Sequence, residues 1–275
     1  MQKSIKGDLN IALLQLDLAW ESPEANIAQI DAYMNDSGIR NEDCDVIVLP
    51  EMWATGFTMQ PKKQGISWKA AFTGSSQNWP LPLQAMLRWS QQHDAAVVGS
   101  LSCHLIEEDR CVNRCFFITP KGLQGWYDKR HLFRFAGEDE AYHPGTSQVV
   151  IPWRGWNILL QICYDLRFPE SSRNQEMKPY DLALYVANWP EVRSSAWKAL
   201  LPARAIENQA YVAGVNRIGE DGMGINHNGL SSCYTPKGHR IAESTASQGA
   251  WLFATLGKKE LLDYRGRFPV LKDRL

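Results

Sequence analysis

No apolar run in this sequence approaches the roughly 20 residues that a membrane-spanning helix needs. Charge of one sign is missing too. The formal net charge is -1, so nothing draws the chain to nucleic acid or to an anionic membrane surface. Lysines and arginines stand singly, apart from short pairs such as Lys62–Lys63 and Lys258–Lys259. The opening stretch, MQKSIKGDLNIALLQLDLAW, is interrupted by Asp8 before a signal-type apolar core can form. A soluble, cytoplasmic protein is expected. There is no Gly-x-Ser-x-Gly elbow, Walker loop, Gly-x-Gly-x-x-Gly fingerprint or His-Glu-x-x-His pair. That removes the commonest serine-hydrolase, nucleotide and zinc-protease signatures. No Ser/Gly/Pro linker, charge block or solenoid-period repeat divides the chain, which predicts one domain over residues 1–275.

Cysteine is sparse for a framework role. Six cysteines run from Cys44 to Cys233 in a core-rich chain with no export signal, so reduced thiols are expected. Cys103, Cys111 and Cys115 with His104 lack the tight Cys-x-x-Cys spacing of structural zinc sites. No metal and no cofactor are expected.

What is present is alternation of strand-like and helix-like segments. NIALLQLDL, DVIVLP, AAVVGSLSCHLI, CVNRCFFITP, GWNILLQICYD and YDLALYVANWP read as strands. Between them lie helical patterns. One has Ser22 as its N-cap and Pro23 at its first position, one is SQNWPLPLQAMLRWSQQHD, and one is SSAWKALLPARAIENQA with a proline inside. This order predicts a layered α/β architecture. GEDGMGINHNG reads as a flexible loop, and the tail from about residue 257 to 275 as polar and poorly periodic, free to reach a neighbouring subunit.

Three strand-like runs end on a chemically loaded residue: Glu51 after VIVLP, Lys129 after GWYD, and Cys163 after ILLQI. Residues at strand carboxyl ends converge in open α/β folds. Taken singly, Glu51 reads equally as a structural carboxylate, Lys129 as a solvated lysine and Cys163 as a core thiol. Together they supply a base, a cation and a nucleophile, the set that acyl transfer from an amide requires. His131 and His143 are the alternative partners for a cysteine nucleophile.

At these residues the sequence resembles the nitrilase, or carbon–nitrogen hydrolase, superfamily. The resemblance runs through LNIALLQLDLAW, DVIVLPEMWATGF, YDKRHLF, GWNILLQICYDLRFPE, RAIENQAYVAGVNRIG and NGLSSCYTPKGHRIAES, in the family order Glu, Lys, Cys. It implies a four-layer α-β-β-α sandwich. Glu51 would then be the general base, Lys129 the cation at the reacting carbonyl and Cys163 the nucleophile. The Tyr164 backbone N–H would share the oxyanion. A second glutamate supporting the lysine is implied in AGEDEAYHPG: Glu138 by its register to Pro144–Gly145, or else Glu140. The resemblance also implies a homodimer paired through the helix after the cysteine.

Within the superfamily, LPEMWATGF, DKRHLFRFAGE and CYDLRFPE are similar to the bacterial omega-amidase branch. That implies hydrolysis of the terminal amide of short dicarboxylic monoamides such as 2-oxoglutaramate. The other readings are a nitrilase or N-carbamoyl amidohydrolase, and a non-catalytic binder on the same fold. The far carboxylate of such a substrate calls for a cation. Arg167 and Arg134 are candidates, unless they pair with Asp165 or Glu138. Phe57, Phe133, Tyr164, Trp189 and Trp197 are candidate walls of a small pocket, with core packing preferred for Trp197.

Overall fold

The computed structural model describes residues 7–36, 38, 39, 44–73, 76, 78–175, 177, 179–245 and 248–273. The expectation about Met1–Lys6 lies outside the described residues. Two sheets carry the molecule. In the first, Ala250–Gly257, Asp8–Gln15, Val46–Val48, Ala96–Leu105, Arg110–Thr119 and Gly122–Asp128 lie side by side in that order. Ile66–Trp68 pairs with the far end of Ala96–Leu105. In the second, the order is Arg240–Glu243, Ser232–Tyr234, Tyr211–Asn216, Leu182–Ala187, Trp156–Ile162 and Val150–Trp153. Each sheet has a parallel centre with antiparallel strands at its margins.

Side-chain alternation along the strands builds the layers. Leu9, Ile11, Leu13, Val46 and Val48 turn one way and meet Ile158, Leu160 and Leu182 of the second sheet. Their neighbours Ala12, Leu14 and Ile47 turn the other way, into a core shared with the helices Pro23–Met34 and Leu81–His93 through Ile27, Ile30, Leu83, Met86 and Trp89. Trp197, Leu201 and Ala205 of the helix Ser194–Asn208 cover the outer face of the second sheet. The result is helices, sheet, sheet, helix. The central strand Leu182–Ala187 is buried on both faces, so it is continuously apolar rather than alternating. Gly214 lets that outer helix approach: a Cβ there would lie 2.7 Å from the Trp197 ring.

Three local readings change. Ser22 precedes the first helix, but its side chain makes no cap bond. The entry is fixed instead by Asn26, whose amide bonds both Ala19 N and O at 2.8 Å and Ala54 O at 2.8 Å. The glycine-rich stretch is not a bare loop: Ile218–Glu220 pairs with Asn226–Asn228 as a short hairpin. The polar tail forms a helix, Lys258–Arg267, tied to its own chain. Arg265 bonds Gln209 O at 2.8 Å and Tyr180 O at 2.6 Å, and Lys258 pairs with Asp181 at 2.5 Å. Among the described residues, no helix is long and apolar enough to cross a membrane.

Candidate active site

The carboxyl ends of both sheets converge on one buried cluster. Glu51 follows Val46–Val48, where the chain keeps pairing with its neighbour strand: Leu49 N bonds Val98 O at 2.7 Å, and Met52 N bonds Ser100 Oγ at 2.8 Å. Lys129 follows Gly122–Asp128 and is fixed on both sides. Its N–H donates to Asn113 O at 2.9 Å, and its carbonyl accepts from Gly145 N at 2.8 Å. Gly145 has no alternative here, because a Cβ would strike the Asp128 backbone. Cys163 ends the strand Trp156–Ile162 and opens a short 3-10 turn, Cys163–Arg167. Its φ of 42° lies in the left-handed region, a strained setting for a residue with a Cβ.

Asp165 braces that turn. Its carboxylate accepts from Ile162 N at 3.0 Å, Tyr127 Oη at 2.8 Å and His131 N at 3.1 Å, and bonds His131 Nδ1 at 2.8 Å. His131 is therefore Asp165's partner and not a base for Cys163, and its ring stacks on Phe168 at 4.0 Å. His143 is exposed and holds Cys111 O through its backbone N–H.

Lys129, Glu51 and Glu138 are all fully buried. Lys129 Nζ donates to Glu51 Oε1 at 2.8 Å and to both Glu138 oxygens at 2.9 Å. Glu138, not Glu140, is the second carboxylate, and Glu140 points to solvent. Asn113 Nδ2 bridges the two acids, at 2.8 Å from Glu51 and 3.3 Å from Glu138. Asn188 N donates to Glu51 Oε2 at 2.8 Å, and Phe133 N to Glu138 Oε2 at 2.6 Å. Every carboxylate oxygen in the cluster thus has a donor, which is what makes burial tolerable.

The charges shape one another. Burial opposes the Lys129 charge, but Glu138 and then Glu51 outweigh it and hold the ammonium above the usual lysine range. Burial pushes the Glu138 carboxyl up, against the pull of Lys129. Burial and the nearby Glu51 carboxylate push the Cys163 thiol well up, so at neutral pH it rests protonated. A protonated thiol beside a carboxylate and an ammonium can be activated only as its proton leaves.

Above the cluster opens a cavity of about 420 Å³. Tyr164, Arg167, Phe133 and Trp189, the four expected substrate contacts, all line it, as does Phe57, whose ring centre lies 5.2 Å from Lys129 Nζ. Trp197 lies outside: it is buried, bonds Leu230 O at 2.9 Å and packs on Trp189. Arg134 lies outside too: its neighbours Phe135 and Ala136 line the cavity, but its own side chain reaches into solvent toward Asp139 at 3.4 Å. Arg167 does not take Asp165 or Glu138, since both are already occupied. Four contributors went unseen in the sequence. Asn113 and Asn188 are ordinary amides in or beside strands there, and Arg193 and His227, which line the cavity, carry no local signal. Cys103 and Cys115 are fully buried, and among the described residues no group of three His, Cys, Asp or Glu could hold a metal ion.

Comparison with known proteins agrees with this geometry. Residues 10–261 match the model of the family described as carbon-nitrogen hydrolase. The chain is 44% identical, over 96% of its own length and 96% of the relative's, to a protein of Escherichia coli strain K12 named omega-amidase YafV. It is 30% identical, at 96% coverage of both, to 2-oxoglutaramate amidase of Bacillus subtilis strain 168. A solved CN-hydrolase superfamily protein from Xanthomonas campestris, with an arsenic adduct in its active site, superposes with a TM-score of 0.88 at 34% identity, covering 98% of this chain and 97% of that one. A chain that matches a family's model over nearly all its length, and folds as that family folds, belongs to it: this protein is a carbon–nitrogen hydrolase.

Proposed function

We propose that the protein is an omega-amidase, hydrolysing the terminal amide of short dicarboxylic monoamides such as 2-oxoglutaramate to the acid and ammonia. The observation that carries this reading is the buried Glu51–Lys129–Glu138 cluster at the foot of a cavity into which Cys163 opens. The names of the relatives from E. coli and B. subtilis support the substrate class.

In this reading Glu51 takes the thiol proton as Cys163 Sγ attacks the amide carbon. The carbonyl π bond opens and its oxygen becomes an oxyanion, which Lys129 Nζ and the Tyr164 backbone N–H stabilise. Protonated Glu51 gives its proton to the nitrogen, the C–N bond breaks, and ammonia leaves a thioester on Cys163. Glu51 then takes a proton from water as the water oxygen attacks the thioester carbon; the C–S bond breaks, the acid leaves, and Glu51 returns the proton to the Cys163 sulfur. Such proton transfers contribute roughly 10²–10⁴-fold to the rate, and an oxyanion donor roughly 10²–10³-fold. Glu138 acts through Lys129, holding the ammonium in place.

The homodimer and the cytoplasmic setting belong to the same reading. The half-exposed Ile206, on the helix that follows the cysteine segment, supports the dimer, and sedimentation equilibrium checks it. The function is tested by ammonia release from 2-oxoglutaramate and succinamate with the wild type and Cys163→Ala. Release by the wild type alone is expected. No release by either would overturn the omega-amidase reading, and release by both would overturn the role of Cys163.

A further inference from the structure

Two guanidinium groups stand in the cavity wall without an anionic partner among the described residues. Arg167, in the turn that Cys163 opens, lies over Trp189, 5.1 Å from the ring centre. Arg193 ends the short turn Glu191–Arg193 and lies over two rings, 5.3 Å from Phe133 and 4.9 Å from Phe135. Neither side chain donates a hydrogen bond or joins an ion pair among the described residues. Elsewhere in the molecule Arg154, Arg204, Arg217 and Arg265 each hold a carboxylate. The two acids on the cavity wall do not supply one. Glu21 accepts from Thr58 Oγ1 at 2.5 Å and from Gln64 at 3.0 Å, and Asp221 accepts from the backbone of Met223 and Ile225.

Stacking uses the face of a guanidinium and leaves its N–H edge free for an acceptor in the plane, in the fork geometry that fits a carboxylate. The rings therefore aim these arginines without satisfying them. The cavity also has a direction. Its floor is the fully buried Lys129, while Phe135, against Arg193, is 82% exposed and marks the mouth. An amide held at the floor beside Cys163 points its other end toward Arg193. The helix Ser194–Asn208 begins at the next residue, and its amino end adds positive potential there.

We propose that Arg193, with Arg167, holds the free carboxylate of the substrate, and that Arg193 sets the preference for amides charged at the far end. The proposal deepens the omega-amidase reading and rests on it for the reacting group. It is tested on the whole protein in two ways. The first is protection of Cys163 from iodoacetamide by 2-oxoglutarate, glutarate and butyrate, read by mass spectrometry. The second is kcat and KM for succinamate and for the uncharged butyramide. Losing one charge-assisted pair implies a weakening of about 10- to 100-fold.

Expected for Arg193→Gln is that much more 2-oxoglutarate for equal protection, a matching rise in KM for succinamate, and a lower succinamate-to-butyramide preference. Arg193→Lys should fall between, since it keeps the charge and loses the fork. An unchanged thermal midpoint verifies that Arg193→Gln is folded. The proposal is overturned if Arg193→Gln is protected at wild-type concentrations, or if the wild type hydrolyses butyramide with the same kcat/KM as succinamate. If protection depends on Arg193 while the wild type hydrolyses none of these amides, the subsite stands and the omega-amidase reading falls.

Discussion

Glu51 raises the thiol pKa of Cys163 by its charge and is also the proposed acceptor of that thiol's proton. These two effects pull a substitution in opposite directions. In Glu51→Gln, hydrolysis should fall by roughly 10²–10⁴-fold, because proton transfer is lost. Alkylation of Cys163 by iodoacetamide should quicken at the same pH, because the repelling charge is gone. Parallel rate measurements on one preparation check both signs. In the wild type, the raised thiol pKa means that alkylation climbs by about tenfold per pH unit from pH 6 to 9 without levelling, since only the thiolate reacts. Asn113 gives a second case. Asn113→Asp would set a third carboxylate against Glu51 and Glu138, and a drop in kcat of about tenfold or more is expected, with a lower melting point. Glu51 and Cys163 stand out in the sequence because each closes an apolar run, whereas Lys129, between Asp128 and Arg130, is marked only by its place between those two segments in the family order. Asn113 does not stand out: its neighbours Val112 and Arg114 continue an ordinary alternating strand, and only the register of Arg110–Thr119 against Gly122–Asp128 brings it to the acids.

The turn Cys163–Arg167 is held by Asp165 within it and by Arg204, which donates twice to Leu166 O. Asp165 satisfies donors from its own strand end, at Ile162, and from the stretch Tyr127 to His131, and is itself fully buried. Asp165→Ala leaves those donors without an acceptor, and a loss of about 2–4 kcal/mol is expected in denaturant unfolding. Activity should fall further than that loss of folded protein accounts for, because the same turn fixes Cys163. The apolar runs of the inner strands announced themselves, but Ala250–Gly257 went unread although it carries Trp251, Leu252, Phe253 and Leu256. The hairpin Ile218–Glu220 with Asn226–Asn228 did not, since three-residue strands are too short to show a period of two. The helix Lys258–Arg267 was hidden for a related reason: it buries only Leu261, so no apolar stripe marks it.

On the scale of the whole molecule, the site exists only where the two sheets meet. Glu51 and Lys129 come from one, and Cys163 and Asn188 from the other. The layered arrangement was legible from alternation, but which strands adjoin was not, because pairing partners lie far apart in the chain. The clearest case is Asp8–Gln15, whose antiparallel partner is Ala250–Gly257, with Asp8 opposite Gly257. A nascent chain leaving the ribosome therefore carries its opening strand long before that partner is made. Until then, one backbone edge of Leu9–Leu14 stays open, an invitation to pair with other chains. Chains stopped at residue 249 should collect in aggregates instead of persisting as soluble fragments, as centrifugation of a cell-free translation would show. Speed of synthesis through the last quarter of the message, and chaperones that shield an unfinished sheet, then govern the yield of active protein.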